Sequence, residues 1–81
     1  MRIDKFLKNS RIIKRRTVAK QACEVGRVKI NGKITKPGGE VFVGDIIEIE
    51  FGQKTVKFEV LNLIENSRKD SAAEMYKVIE G

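Results

Sequence analysis

The chain has 81 residues, of which 41% are hydrophobic and 35% charged, with 17 Lys or Arg against 11 Asp or Glu and a formal net charge of +6. A chain of this size hides only about 60% of its unfolded surface, so it holds one small core, and two domains are excluded. No apolar run approaches the roughly 20 residues of a spanning helix, and one Cys with no His leaves neither an intramolecular disulfide nor the usual zinc spacings.

The charge is segregated. Residues 1–36 carry twelve Lys or Arg and two acids, whereas residues 37–81 carry five against nine. A basic half joined to an acidic half sets up a directional field with one cationic face, which favours a polyanionic partner. The lone Cys23 and an N-terminus without a signal-like apolar core favour a reducing, cytoplasmic setting. Cys23 itself lies beside an apolar stripe and reads as a small packed residue rather than a reactive thiol.

Met1 to Ser10 place Ile3, Phe6 and Leu7 at i, i+3 and i+4, with Arg2, Lys5 and Lys8 on or near the other side, which predicts a first amphipathic helix. Asp4 falls in its first turn, where the helix dipole favours an acid; the alternative is that it holds a basic side chain such as Arg16. Asn9 and Ser10 weaken the helix, and Ile12 and Ile13 anchor the following connection in the core. The stretch from Arg11 to Gly26 opens with Arg11, Lys14, Arg15, Arg16 and Lys20, then shows Val18, Ala19, Ala22 and Val25 at helical spacing. It predicts a second short helix with a cationic head, docked by that stripe and closed by a left-handed cap at Gly26.

After Gly26 the period falls to two. Val28 and Ile30 alternate with Arg27 and Lys29, Asn31-Gly32 is a strong hairpin signal, and Lys33 to Lys36 form the returning arm. The basic residues of this arm either extend the cationic patch or are ordinary edge-strand lysines. Pro37-Gly38-Gly39 breaks the pattern and leads through Val41 and Val43 to a Gly44-Asp45 turn. Ile46 to Phe51 and Val56 to Val60 alternate around Gly52-Gln53-Lys54 as a second hairpin, with Glu48 and Glu50 facing Lys57.

Beyond Ile64 the chain is polar to Arg68, and Asp70 or Ser71 is placed to cap a last helical turn through Ala72 to Tyr76, in which Met75 and Tyr76 lock the turn to the sheet, the alternative being a docking surface for a protein partner. The expected fold is α+β: a single domain over residues 1–81, with two N-terminal helices packed on a small, mostly antiparallel sheet and a short C-terminal helical turn.

Arginine bonds phosphate bidentately, and a helix presenting several Arg and Lys reads backbone geometry rather than base sequence, which suits folded RNA. Four Phe and one Tyr sit mostly at core-spaced positions, which disfavours recognition by stacked bases. A second helix without Trp and with Val and Ala on its apolar face is a poor membrane anchor. No nucleophile is paired with a base, no Gly-rich loop cradles phosphate, and no catalytic residue, metal or cofactor is expected. The candidate phosphate clamp is Arg2, Lys5, Arg15, Arg16 and Lys20, with Asp4 orienting Arg16; Lys8, Arg11, Lys14, Arg27 and Lys29 are candidates for its rim.

RIDKFL at 2–7, RRTVA at 15–19, GRVKING at 26–32 and VGDIIEI at 43–49 stand in an order and spacing that resembles the S-four RNA-binding domain over about residues 1–50. The residues carrying the match are Arg2, Asp4, Phe6, Leu7, Arg16, Ala19, Gly26, Val28, Asn31, Gly32, Gly44 and Asp45. One departure is Arg15, where many family members have Ser; either Lys14 and Arg15 begin the second helix without a side-chain cap or Thr17 caps a shorter one. FGQKTV at 51–56 and SAAEMYKVIE at 71–80 are similar to the short, stand-alone members that serve ribosome-associated quality control, with the heat-shock member that recognises dissociated large subunits a step further off. The resemblance implies an obstructed large ribosomal subunit still carrying peptidyl-tRNA as partner. It further implies contacts to large-subunit RNA and the tRNA, and help to a tail-adding partner protein that extends the stalled chain with alanine. The alternative is an accessory factor in large-subunit assembly or in rRNA and tRNA handling. The chain is expected to act as a monomer, without a membrane partner.

Overall fold

The structure, a computed structural model, describes residues 1–65 and 72–80. Helices α1 (Ile3–Asn9) and α2 (Arg16–Glu24) precede strands β1 (Val28–Ile30), β2 (Lys33–Ile34), β3 (Ile46–Phe51), β4 (Lys54–Val60) and β5 (Tyr76–Glu80). The strands form one sheet in the order β2-β1-β3-β4-β5, every pairing antiparallel. The expected helices-on-sheet arrangement is the one observed.

The turn chemistry sets the registers. Asn31 and Gly32 both take positive φ, 51° and 83°, which a two-residue I′ turn between β1 and β2 requires. Gly52, at φ 62°, starts the two-residue turn that pairs Phe51 with Lys54. Helix α2 ends in a Schellman arrangement: Gly26 has φ 77°, its N–H donates to the Cys23 carbonyl, and Arg27 N–H donates to the Ala22 carbonyl.

One face of the sheet packs on the helices. Val28, Ile47, Ile49, Phe58 and Val60 join Ile3, Phe6, Leu7, Ala19 and Cys23 in a single buried cluster with Ile13, Val41 and Met75. Each fully buried large side chain here contributes about 1.5–3 kcal/mol. The other face is polar, and there Glu48 lies 3.9 Å from both Lys29 and Lys57. Glu48 is the register partner of Lys57, whereas Glu50 stands opposite Thr55 rather than facing Lys57 as expected.

Two further expectations are corrected and one is sharpened. Helix α2 buries Ala19 and Cys23 in the core and rests the partly buried Ala22 against it, while Val18 and Val25 are 46% and 66% exposed. Val18 and Ala22 precede the buried pair by one residue each, about 100° round the helix, so the apolar stripe is wider than the strip the core buries, with Ala22 at its half-buried edge. Helix α1 ends at Asn9 and Ser10 as expected, but Asn9 is no loose end: it is buried, and its Nδ2 donates to the carbonyls of Ile64 (3.1 Å) and Glu65 (2.9 Å). The C-terminal turn is confined to residues 72–75, closed by Met75 N–H to the Ala72 carbonyl, and Tyr76 starts a strand instead of ending a helix. The aromatic and β-branched YKVIE favours that strand, and the Tyr76 ring meets Phe58 edge-on at 5.3 Å. The expected cap at Asp70 or Ser71 and the polar stretch to Arg68 extend outside the described residues.

Candidate nucleic-acid interface

The loop of residues 37–39 builds the start of α1. No side chain caps this helix; instead Ile3 N–H donates to the Gly39 carbonyl at 2.8 Å and Asp4 N–H to the Pro37 carbonyl at 3.3 Å, satisfying donors that the helix leaves unpaired. Gly39 must remain glycine for this approach, because a Cβ there would lie 2.0 Å from Thr35 Oγ1 and 3.2 Å from the Lys36 carbonyl oxygen.

With α1 fixed in this way, Asp4 is turned inward. Its side chain is 3% exposed, yet three donors reach it: Lys5 N–H at 2.8 Å, Arg2 Nη2 at 3.2 Å and Arg16, whose Nε is 3.4 Å from Oδ2. The two guanidinium groups approach from different helical segments and remain about half exposed, 50% for Arg2 and 48% for Arg16. The two readings of Asp4 are thus resolved in favour of the acid that holds Arg16, and it holds Arg2 as well. A guanidinium carries five N–H donors, so each arginine keeps donors that Asp4 does not use. The arrangement presents two oriented cations over one buried anion, a geometry suited to binding phosphate oxygens.

A second basic feature lies at the joint between the helices. Lys8, Asn9, Arg11 and Lys14 line a crevice of about 350 Å³. Arg11 holds a left-handed backbone at φ 63°, its N–H donating to the Lys8 carbonyl and Ile13 N–H to the Leu7 carbonyl, both at 3.1 Å. Glycine is the usual residue there, and an L side chain costs roughly 1–2 kcal/mol in this conformation.

The remaining predicted residues distribute as follows. Arg15 is exposed and extended in the N-cap position of α2 and makes no capping hydrogen bond, so the helix starts at Arg16, neither at Lys14 and Arg15 nor after a Thr17 cap. Lys20 is exposed one turn after Arg16, on the same side of the helix. Lys5 forms an ion pair with the Glu65 carboxylate, and this hydrogen bond, reinforced by the Lys5 charge, holds Glu65 below the usual carboxylate range. Arg27 lines a different groove, beside Val18 and Phe51, and Lys29 faces Glu48 on the polar side of the sheet, away from the helices. Sequence reasoning missed Asn9 and Glu65, which tie α1 to the segment after β4.

Cys23 is buried, and burial first, then the charges of Asp4 and Glu24, push its thiol up to about 11. That is opposite to an activated thiol. Among the described residues no group of three or more His, Cys, Asp or Glu is placed to hold a metal ion, and no helix is long and apolar enough to cross a membrane.

Comparison with known proteins places these features in a wider set. The S4 domain model matches residues 1–47. The RQC P-site tRNA stabilizing factor of Halalkalibacterium halodurans is 53% identical over 78 residues, covering 96% of this chain and 89% of that protein. The factor of the same name from Listeria monocytogenes is 51% identical, covering 99% of this chain and 87% of its own length. Among solved structures, heat shock protein 15 of Vibrio cholerae superposes with a TM-score of 0.89 at 28% identity, covering 98% of this chain and 81% of that one. That protein is described as trimeric, which lends no support to the expectation that this chain acts singly.

Proposed function

From the premise that this chain belongs to the S4 domain family and is homologous to the RQC P-site tRNA stabilizing factors, we propose that it is a non-enzymatic RNA-binding protein of the large ribosomal subunit. In this reading it contacts large-subunit RNA and peptidyl-tRNA on obstructed subunits and supports alanine tailing of the stalled chain by a partner protein, in the cytoplasm.

The observation that carries the reading is the pair of half-exposed guanidiniums, Arg2 and Arg16, held on the buried carboxylate of Asp4. Orientation before binding lowers the entropy lost when each arginine meets a phosphate. Arg15 and Lys20 flank this pair along α2, and Lys8, Arg11 and Lys14 extend the positive surface past the far end of α1. Such a surface follows phosphates and 2′-hydroxyls of folded RNA rather than reading bases. The relatives' name, which specifies P-site tRNA, favours the peptidyl-tRNA contact.

Two measurements test the reading. Replacing Arg16 by Ala is expected to cost roughly 1–3 kcal/mol in binding to large-subunit RNA and to flatten the salt dependence by about one unit; unchanged affinity and slope would remove Arg16 from the interface. In cells, the protein is expected to sediment with large subunits that carry peptidyl-tRNA. Sedimentation with immature subunits lacking tRNA would instead favour an assembly factor.

A further inference from the structure

A crevice of about 540 Å³ runs between the C-terminal half of α2, which contributes Cys23 and Glu24, and the segment from Ile34 to Pro37, which includes Lys36. Contacts fix both of its ends. At one, Ile34 closes on the residue that caps α2, its Cδ1 3.8 Å from where a Cβ on Gly26 would stand. At the other, the Pro37 carbonyl accepts from Asp4 N–H, and Asp4 holds Arg2 and Arg16. The Arg2 guanidinium also lies beside Gly38, 3.9 Å from where a Cβ would stand. Beyond burial itself, the Cys23 thiol in the crevice feels the charges of Asp4 and then Glu24, so both acids are near it. The crevice therefore adjoins the paired arginines.

The fold gives Glu24 no role. It is one of two acids among residues 1–36. Asp4, the other, holds two arginines, whereas Glu24 is exposed and, among the described residues, makes no ion pair. It is also the last residue of α2, where the helix dipole disfavours an acid. Arg16, Lys20 and Glu24 follow at intervals of four along one side of the helix, so this carboxylate repels the very phosphates that its two basic neighbours attract. A carboxylate so placed calls for N–H donors from outside the protein.

We infer that this crevice takes one extrahelical guanine of the bound RNA, adding a single base contact to a surface that otherwise follows the backbone; the inference rests on the RNA reading above. Position and lining both argue for a base. The RNA held by Arg2 and Arg16 is the nearest occupant, and the volume falls in the roughly 300–1,000 Å³ of small-ligand sites. Ile34, 66% exposed, and Pro37 offer apolar walls to the ring faces, and a base already outside the helix costs least to seat. Charge argues for guanine. An ionised carboxylate only accepts hydrogen bonds, and among the four RNA bases guanine alone offers two adjacent donors, N1–H and the 2-amino group, on its Watson–Crick edge. Its O6, beside them, is an acceptor for Lys36 on the opposite wall. Uracil sets one N–H between two carbonyls, which Glu24 repels.

The test measures binding of the full chain to RNA hairpins that are identical except at one bulge, which carries guanosine, inosine, uridine or nothing. The guanosine hairpin is expected to bind about tenfold more tightly than the uridine and unbulged hairpins, with inosine, which lacks the 2-amino group, in between. Glu24→Gln turns one acceptor into a donor and removes the charge. It is expected to abolish the guanosine preference and yet bind the unbulged hairpin about two- to threefold more tightly, a pair of opposite signs that a misfolded variant does not give. Arg16→Ala is expected to weaken binding of every hairpin and to keep the ratio of guanosine to uridine. Equal binding of the guanosine and uridine hairpins, or a preference that survives Glu24→Gln, would overturn the inference and leave the RNA reading standing. Binding of no hairpin would overturn that reading, and this inference with it.

Discussion

Asn31 and Asp45, fourteen residues apart, are joined by a hydrogen bond from Asn31 Nδ2 to Asp45 Oδ1 at 3.2 Å. Asn31 Oδ1 also accepts from Ile46 N–H at the start of β3, while Asp45 Oδ2 accepts from Phe42 N–H within its own turn, both at 3.0 Å. The pair ties the β1–β2 turn to the start of β3, so the two turn motifs of the sequence form one structural unit. Asn31 does this at φ 51°, a conformation open to Asn and Gly at little cost. Asn31→Gly keeps the conformation and loses the bonds, so urea unfolding is expected to show a loss of about 1–2 kcal/mol. Asn31→Ala is expected to lose more, because it adds backbone strain. Equal losses would mean that the left-handed turn contributes nothing.

Asp4 presents an electrostatic contest. Removing its charge makes the protein more attractive to RNA at long range, yet it also releases Arg2 and Arg16 from the buried carboxylate that orients them. Orientation is expected to win: Asp4→Asn should bind large-subunit RNA about three- to tenfold more weakly, although it is one charge more positive. Filter binding at fixed salt decides this, and tighter binding would reduce Asp4 to a neutralising charge.

What was legible in the sequence followed from local rules. The switch from helical to two-residue periodicity after Gly26, and the demands of Asn31-Gly32 and Gly52-Gln53, fix the hairpins without knowledge of the rest of the chain. The contact between Asp4 and Arg16 was legible as one of two alternatives, since both lie near helix starts. The burial of Asn9 was not, because its partners Ile64 and Glu65 stand more than fifty residues away and only tertiary packing brings them together. Nor was the burial of Ala19 and Cys23 with Val18 and Val25 left exposed, because helical spacing shows an apolar stripe, not which part of it the core covers. The tail misled for a local reason: Ala72 to Met75 favour a helix, and the strand-forming residues start only at Tyr76.

The Cys23 thiol is buried and its ionisation is displaced upward, from an ordinary 9.0 to about 11. Native protein is therefore expected to react slowly with iodoacetamide at pH 8 and fully once unfolded in urea. The linkage has a definite sign. Above about pH 9 the unfolded chain releases the Cys23 proton while the folded chain retains it, so stability falls as pH rises through this range. Cys23→Ala is expected to remove that part of the decline; an identical alkaline profile would assign the decline to other groups.

In the proposed reading Glu65 competes with RNA for Lys5. The ion pair is exposed, and Lys5 holds the Glu65 carboxyl below its usual range, so the pair persists at neutral pH and is lost as pH falls through that lowered value. Glu65→Gln is expected to free Lys5 and raise RNA affinity about two- to threefold, the modest gain appropriate to an exposed pair. The gain should shrink at high salt. Unchanged affinity would place Lys5 outside the RNA surface.

Arg11 sets stability against binding. Its backbone sits in the left-handed region at the end of α1, and its side chain helps to line the basic crevice with Lys8 and Lys14. If this position served the fold alone, glycine would be the better residue, since it takes that conformation without a Cβ penalty. Arg11→Gly is therefore expected to raise stability by about 0.5–1 kcal/mol in urea unfolding. The same variant is expected to bind RNA more weakly, with a salt slope lower by about one unit if Arg11 contacts a phosphate. Lys at this position separates the two effects: Arg11→Lys keeps the charge and the backbone strain, so its stability should match the parent and its salt slope should be retained. A glycine variant that gains stability without losing affinity would show that the strained arginine has no role in binding.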